Sequence, residues 1–130
     1  MRIEFYVLPG DQPGERLRAA CQLAAKGWRH DLPVFVRGAD AAQCEQLDEL
    51  LWRFKGETFV THNLYEDGSD APVLIGIDQP PQVANGLLIN LHPHLREDLS
   101  PFSRAIEIGN QHPEQLQLAR DNFRLYPQRG

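Results

Sequence analysis

The amino-acid sequence predicts an α/β fold with a mostly parallel sheet, and three observations lead there. Short apolar runs alternate along the chain with longer segments whose apolar residues recur at helical spacing. Turn residues separate them, and prolines or a capping aspartate stand where helices would begin. With 130 residues, 42% of them hydrophobic, the chain is long enough to bury one core and too short for two. Residues 1–130 are therefore expected to form one domain.

Taken in order, residues 3–8 (IEFYVL) read as a first strand, and Pro9, Gly10 and Asp11 as the turn out of it. Pro13 suits the first turn of a helix running to about His30, since its missing N–H has no partner to lose there. Residues 32–36 form a second strand. Asp40, followed three positions later by Gln43, resembles a capping box opening a second helix, which is expected to end at Lys55 and Gly56. Residues 59–61 are a short extended piece, and His62 and Asn63 a polar turn. Residues 72–77, 87–91 and 104–108 are further strands, the first two separated by a turn rich in Pro, Gln and Asn. Pro113 opens a final helix that is expected to end near Tyr126, before Pro127.

This alternation is Rossmann-like, the pattern of a three-layer domain, so the first strand-to-helix turn decides whether a nucleotide belongs. Phosphate sites need glycines at fixed spacing, so that backbone amides can approach the phosphates at a helix N-terminus. The turn here, LPGDQPGERL, has Gly10 and Gly14 but lacks the lysine and hydroxyl residue of a phosphate-gripping loop. Its Asp11 and Glu15 would repel phosphate. No nucleotide-binding loop, and no cofactor, is expected.

Catalytic and metal patterns are equally thin. The chain has no HExxH helix, no GxSxG elbow and no paired CxxC motifs. His62, His92, His94 and His112 read as turn or surface residues, and acidic pairs such as Asp48-Glu49 as solvated surface. Cys21 shares a helical face with Leu17, Ala24 and Trp28, and Cys44 shares one with Leu47 and Leu51, so both read as small buried hydrophobes. Neither a catalytic residue nor a metal site is assigned. No apolar run approaches the roughly 18 residues that span a bilayer, and no basic segment leads into a signal core, so a soluble cytoplasmic protein is expected.

The formal charge of −5 argues against a protein that mainly grips a phosphate backbone. Its distribution is uneven. Residues 39–70 hold eight acids against two bases, whereas from residue 104 onward four arginines face three acids. An anionic ligand belongs at the C-terminal end.

Two segments read as docking surfaces. In the second helix, Cys44, Leu47, Leu51 and Phe54 fall within an arc of roughly 80°, while Trp52 sits roughly 120° from its middle. A large aromatic off the buried stripe implies a second partner. In the last helix, Leu116, Ala119, Phe123 and Tyr126 form one apolar arc flanked by Arg120 and Arg124, and Leu118 and Leu125 form another apolar side. An arginine beside an apolar pocket suits a peptide ending in an aromatic residue, whose carboxylate the guanidinium fork can take.

The run LDELLW, the segment FVTHNL a half-turn of charged residues later, the opening strand IEFYVL, the helix ending Gly27-Trp28-Arg29 and a late LAR followed by an aromatic together resemble the chi subunit family of bacterial DNA polymerase III. The resemblance covers residues 3–126. It implies a non-catalytic, clamp-loader-associated adaptor in DNA replication. Such an adaptor would bridge the psi subunit to the acidic C-terminal tail of single-stranded DNA-binding protein, which ends in Pro-Phe. Carried over residue by residue, it assigns the tail site to Arg120, Phe123 and Arg124, with Gly109 at the position of a small apolar pocket residue. Where relatives often have tyrosine, Phe123 keeps the ring and loses a hydroxyl. Psi contact falls on Trp52 and Phe59. A DNA-repair helicase is a further candidate for that surface, and DNA is met only indirectly. Two other classes stay open: a small nucleotide- or metal-dependent enzyme, and a direct single-stranded nucleic-acid binder in which Arg96, Arg104, Arg120 and Arg124 gather in space.

Overall fold

The computed structural model describes residues 2–53, 61–68, 70–81 and 84–129. Strands β1 (Arg2–Val7), β2 (Val34–Arg37), β3 (His62–Leu64), β4 (Val73–Gly76), β5 (Gly86–Asn90) and β6 (Phe102–Gly109) form one sheet in the order β1-β6-β5-β2-β4-β3. Every pairing between them is parallel. Helices α1 (Pro13–Arg29), α2 (Ala41–Trp52) and α3 (Pro113–Arg129) complete the layers, with a 3-10 turn at Tyr65–Asp67.

The period of two along the central strands sorts the core into two faces. Val34 and Val36 of β2, Val73 and Ile75 of β4, and Leu87 and Ile89 of β5 pack with Ala20, Cys21, Ala24 and Ala25 of α1 and with Cys44, Leu47 and Leu51 of α2. The small α1 residues let that helix lie close on the sheet. Phe35, Leu74, Leu88 and Ala105 point the other way, against Tyr126 of α3 and Leu95, Leu99 and Phe102. Where α3 does not reach, the segment before β6 covers the sheet. There the buried Arg96 lies over the rings of Phe35 and Phe102, at 5.2 and 5.4 Å, and donates to the carbonyls of Ile77, Gln79 and Asp98.

Strands β1, β2, β4, β5 and β6 lie within two residues of their expected bounds, and three details differ. α2 ends at Trp52, with Arg53 as its C-cap, three residues short of the expected stop at Lys55 and Gly56; Phe54, Lys55, Gly56, Phe59 and Val60 lie outside the described residues. His62 and Asn63, expected as a turn, belong to β3 and pair with Val73 and Leu74. The polarity of His62 misled because its ring is buried with Nε2 3.2 Å from Asp48 Oδ1, so a carboxylate takes the place of solvent. α3 continues to Arg129 through Pro127. A proline so near a helix end deletes one hydrogen bond without breaking the turns before it.

Candidate functional site

The last helix is seated by what precedes it. β6 ends at Gly109, whose absent side chain matters: a Cβ there would stand 3.2 Å from Leu116 Cδ1 and 3.4 Å from Ala119 Cβ. The glycine therefore permits the first turns of α3 to lie directly on the strand end. Asn110, fully buried, accepts through Oδ1 from the His112 N–H at 3.0 Å and holds the entry to the helix. α3 then packs over β6 and β1.

This seating divides α3. Ala119, Asn122 and Tyr126 are buried, whereas Arg120, Phe123 and Arg124 face outward. Phe123 was grouped with Ala119 and Tyr126 on one apolar arc, yet it stands at that arc's margin and stays 38% exposed. Its ring meets Phe5 of β1 edge-on at 5.4 Å between centroids. Two positions along the same face of β1 is Val7, 45% exposed and paired in register with Gly109. The result is an apolar surface at the margin of the sheet, formed by Phe5, Val7 and Phe123. Among the described residues, Arg120 and Arg124 form no hydrogen bond or ion pair, so both are available to an anionic ligand. Of the second apolar side expected on α3, Leu118 is half-buried and Leu125 is 37% exposed.

The second surface lies at the end of α2. Cys44, Leu47 and Leu51 are buried as the helical period requires, and Trp52 is 61% exposed. Its ring stands edge-on to His62 at 5.2 Å. Asp48, one turn before Trp52, is the acid beside His62. Phe59, assigned to the same surface, lies outside the described residues.

Phe5, Val7, Asp48 and His62 are the residues that sequence reasoning missed. Strand alternation placed Phe5 and Val7 on one face, but nothing in the sequence made β1 an edge strand. His62 carried a signal: a histidine two positions from Val60 and two from Leu64, 14 positions after an acid on a helix.

Other chemistry finds little support. Burial pushes the Cys21 thiol up to about 12 and the Cys44 thiol upward, so neither supplies a thiolate near neutrality. Among the described residues, no group of three or more His, Cys, Asp or Glu side chains could hold a metal ion. In the first strand-to-helix turn, the Glu15 carboxylate lies against Gly10, where a Cβ would meet Oε1 at 1.8 Å. An acid thus occupies the approach that a phosphate would need. The four arginines weighed for nucleic-acid binding do not form one free cluster: Arg96 is buried between its rings, and Arg104 pairs with Glu4. A cavity lined by Trp28, Pro33, Pro72, Gly86 and Phe102 lies at the amino-terminal ends of β2, β5 and β6, the opposite end of the sheet from Gly109. No helix among the described residues is long and apolar enough to cross a membrane.

Residues 1–130 match the family described as "DNA polymerase III chi subunit, HolC". The chain is 43% identical over 129 residues to the DNA polymerase III subunit chi of Pseudomonas aeruginosa, covering 99% of this chain and 91% of that protein. It is 31% identical over 129 residues to the protein of that name from Escherichia coli, covering 94% and 88%. It is 30% identical over 107 residues to the one from Haemophilus influenzae, covering 80% and 74%.

Proposed function

The chain belongs to the DNA polymerase III chi subunit family, and on that premise we propose that it bridges two partners in bacterial DNA replication. One is the acidic C-terminal tail of single-stranded DNA-binding protein, held on α3. The other is the psi subunit, held at Trp52 and Phe59, through which the protein joins the clamp loader. The family is that of an accessory subunit of DNA polymerase III, and the chain is not an enzyme in itself. The role is cytoplasmic, and DNA is reached through the tail rather than by direct contact.

The observation that carries the tail reading is the half-exposed Phe123 ring, flanked by Arg120 and Arg124 and continued by Phe5 and Val7. On a chain of net charge −5, a free arginine pair beside an apolar step is a local exception. It complements a peptide with acidic residues and a terminal aromatic. In this arrangement Arg120 takes the terminal carboxylate, Phe123 and the floor near Gly109 receive the ring, and Arg124 attracts the preceding acids. Burying one phenylalanine contributes roughly 1.5–3 kcal/mol and a charge-assisted hydrogen bond about as much, before ordering costs, which points to micromolar affinity.

Fluorescence anisotropy tests this with a labelled peptide ending Asp-Asp-Ile-Pro-Phe and the same peptide without its last residue. Saturable binding is expected only for the first, weakened about tenfold or more by Arg120→Ala. Equal binding of the two peptides, or an Arg120→Ala variant of wild-type affinity, would remove the assignment.

A further inference from the structure

Among the buried strand side chains on the α3 face of the sheet, one row is polar. Arg37 of β2 stands opposite Asn90 of β5, which stands opposite Glu107 of β6. All three are at least 97% buried, with exposures of 3%, 1% and 2%. Burying such groups costs several kcal/mol unless each is partnered, so the row calls for a reason beyond packing. One chain of hydrogen bonds runs along it. Arg37 Nη1 donates to Asn90 Oδ1 at 3.2 Å, Asn90 Nδ2 donates to Glu107 Oε1 at 3.2 Å, and the Tyr126 hydroxyl donates to Glu107 Oε2 at 3.2 Å. Asn122, one turn before Tyr126, donates to the Pro93 carbonyl at 3.1 Å. Tyr126 and Asn122 thus fasten α3 at two points a turn apart, to the sheet through Glu107 and to the segment after β5 through the Pro93 carbonyl.

The row continues to the docking surface. Opposite Glu107 on its other side stands Phe5 of β1, whose ring meets Phe123, the residue after Asn122. Apolar packing alone leaves a helix some freedom to rotate about its axis, because dispersion is not directional. A rotation of about 20° carries a side-chain tip some 5–6 Å from the axis through about 2 Å. That is enough to break a carboxylate–guanidinium hydrogen bond, which tolerates a few tenths of an ångström.

We propose that Glu107 is a positioning residue for the α3 surface: held by Asn90 and bonded to Tyr126, it sets the rotation of that helix and hence the direction in which Arg120, Phe123 and Arg124 face. The inference deepens the tail reading and rests on it for its functional meaning. Its geometric content stands separately.

The test uses Tyr126→Phe, which keeps the ring and deletes one bond, and Glu107→Gln, which keeps the shape and replaces two acceptor oxygens by one. Aromatic NMR follows the Phe123 ring, whose resonances report its contact with Phe5, and methyl resonances of Leu47 and Leu51 on the opposite face report the fold. Both variants are expected to move the Phe123 resonances, leave the Leu47 and Leu51 methyls in place, and weaken the tail peptide about three- to tenfold. The double variant should be no weaker than the worse single one, since both act on one contact. Unmoved Phe123 resonances, or undiminished peptide affinity in both variants, would overturn the proposal. If the wild-type protein binds no tail peptide, the functional reading fails, and the Phe123 resonances still decide whether Glu107 orients α3. Should Glu107→Gln not fold, Tyr126→Phe decides alone.

Discussion

Glu107 shows how one side chain can hold an element and still carry a cost. Burial pushes its carboxyl from 4.5 up to about 7, against the nearby amides of Asn90 and Asn122, the Tyr126 hydroxyl and the charge of Arg16, which pull it down. The charged groups around it are Arg16 from α1 and Arg37 from β2, the latter reached through Asn90. Tyr126 from α3 is the other titratable group, its own proton held more tightly than usual by burial and by Glu107. Because the folded protein keeps the Glu107 proton to higher pH than the unfolded chain does, this group's contribution is fully present below about pH 4.5 and is lost as pH rises toward 7. The loss is on the order of 3 kcal/mol. Urea unfolding between pH 4.5 and 8 should therefore give a downward term in stability that Glu107→Gln lacks, and equal slopes for both proteins would remove it. None of this was legible in the run AIEIG, which reads as a strand with one acid. Whether that acid faces solvent or a helix depends on what covers β6.

At the scale of elements, local chemistry was readable where it acts within a few residues. Asp40 caps α2 as its spacing implies, its Oδ1 accepting from the Gln43 N–H at 2.8 Å. Gln43 reaches back in turn, Oε1 accepting at 2.8 Å from the N–H of Ala39, one residue before the cap. Asp40→Ala should lower the unfolding free energy by about 1 kcal/mol, seen as a shift of the urea midpoint with unchanged slope; a midpoint within error of wild type would show that water replaces the cap. The exposure of Trp52 was legible by the same logic, since it follows from angular position on a helix. β3 was not. A three-residue edge strand needs no alternating pattern, and its membership is decided by β4 alongside it.

Across the whole molecule, the two proposed surfaces lie by opposite margins of the sheet. β1, beside α3, is the first strand in the order, and β3, beside Trp52, is the last. Five spacings of about 4.8 Å separate them by about 24 Å. Sites that far apart with no shared partner are expected to behave additively. Trp52→Ala should accordingly cost the psi interaction about 2 kcal/mol or more while leaving tail-peptide affinity within about twofold, measured side by side by titration calorimetry. Loss of both would mean that the substitution disturbs the fold. The sequence by itself determined the alternation of strands and helices, the cap of α2, the outward Trp52 and the basic flank of α3, because each depends on neighbours within one or two turns. The tertiary structure alone decided the order of the strands, and with it which strand became an edge. That order set Phe5 and Val7 beside Phe123 and aligned Arg37, Asn90 and Glu107 beneath α3. Contacts between residues 53 or more positions apart in the chain, such as Arg37 with Asn90, have no local signature. They arise from which apolar faces can be covered together.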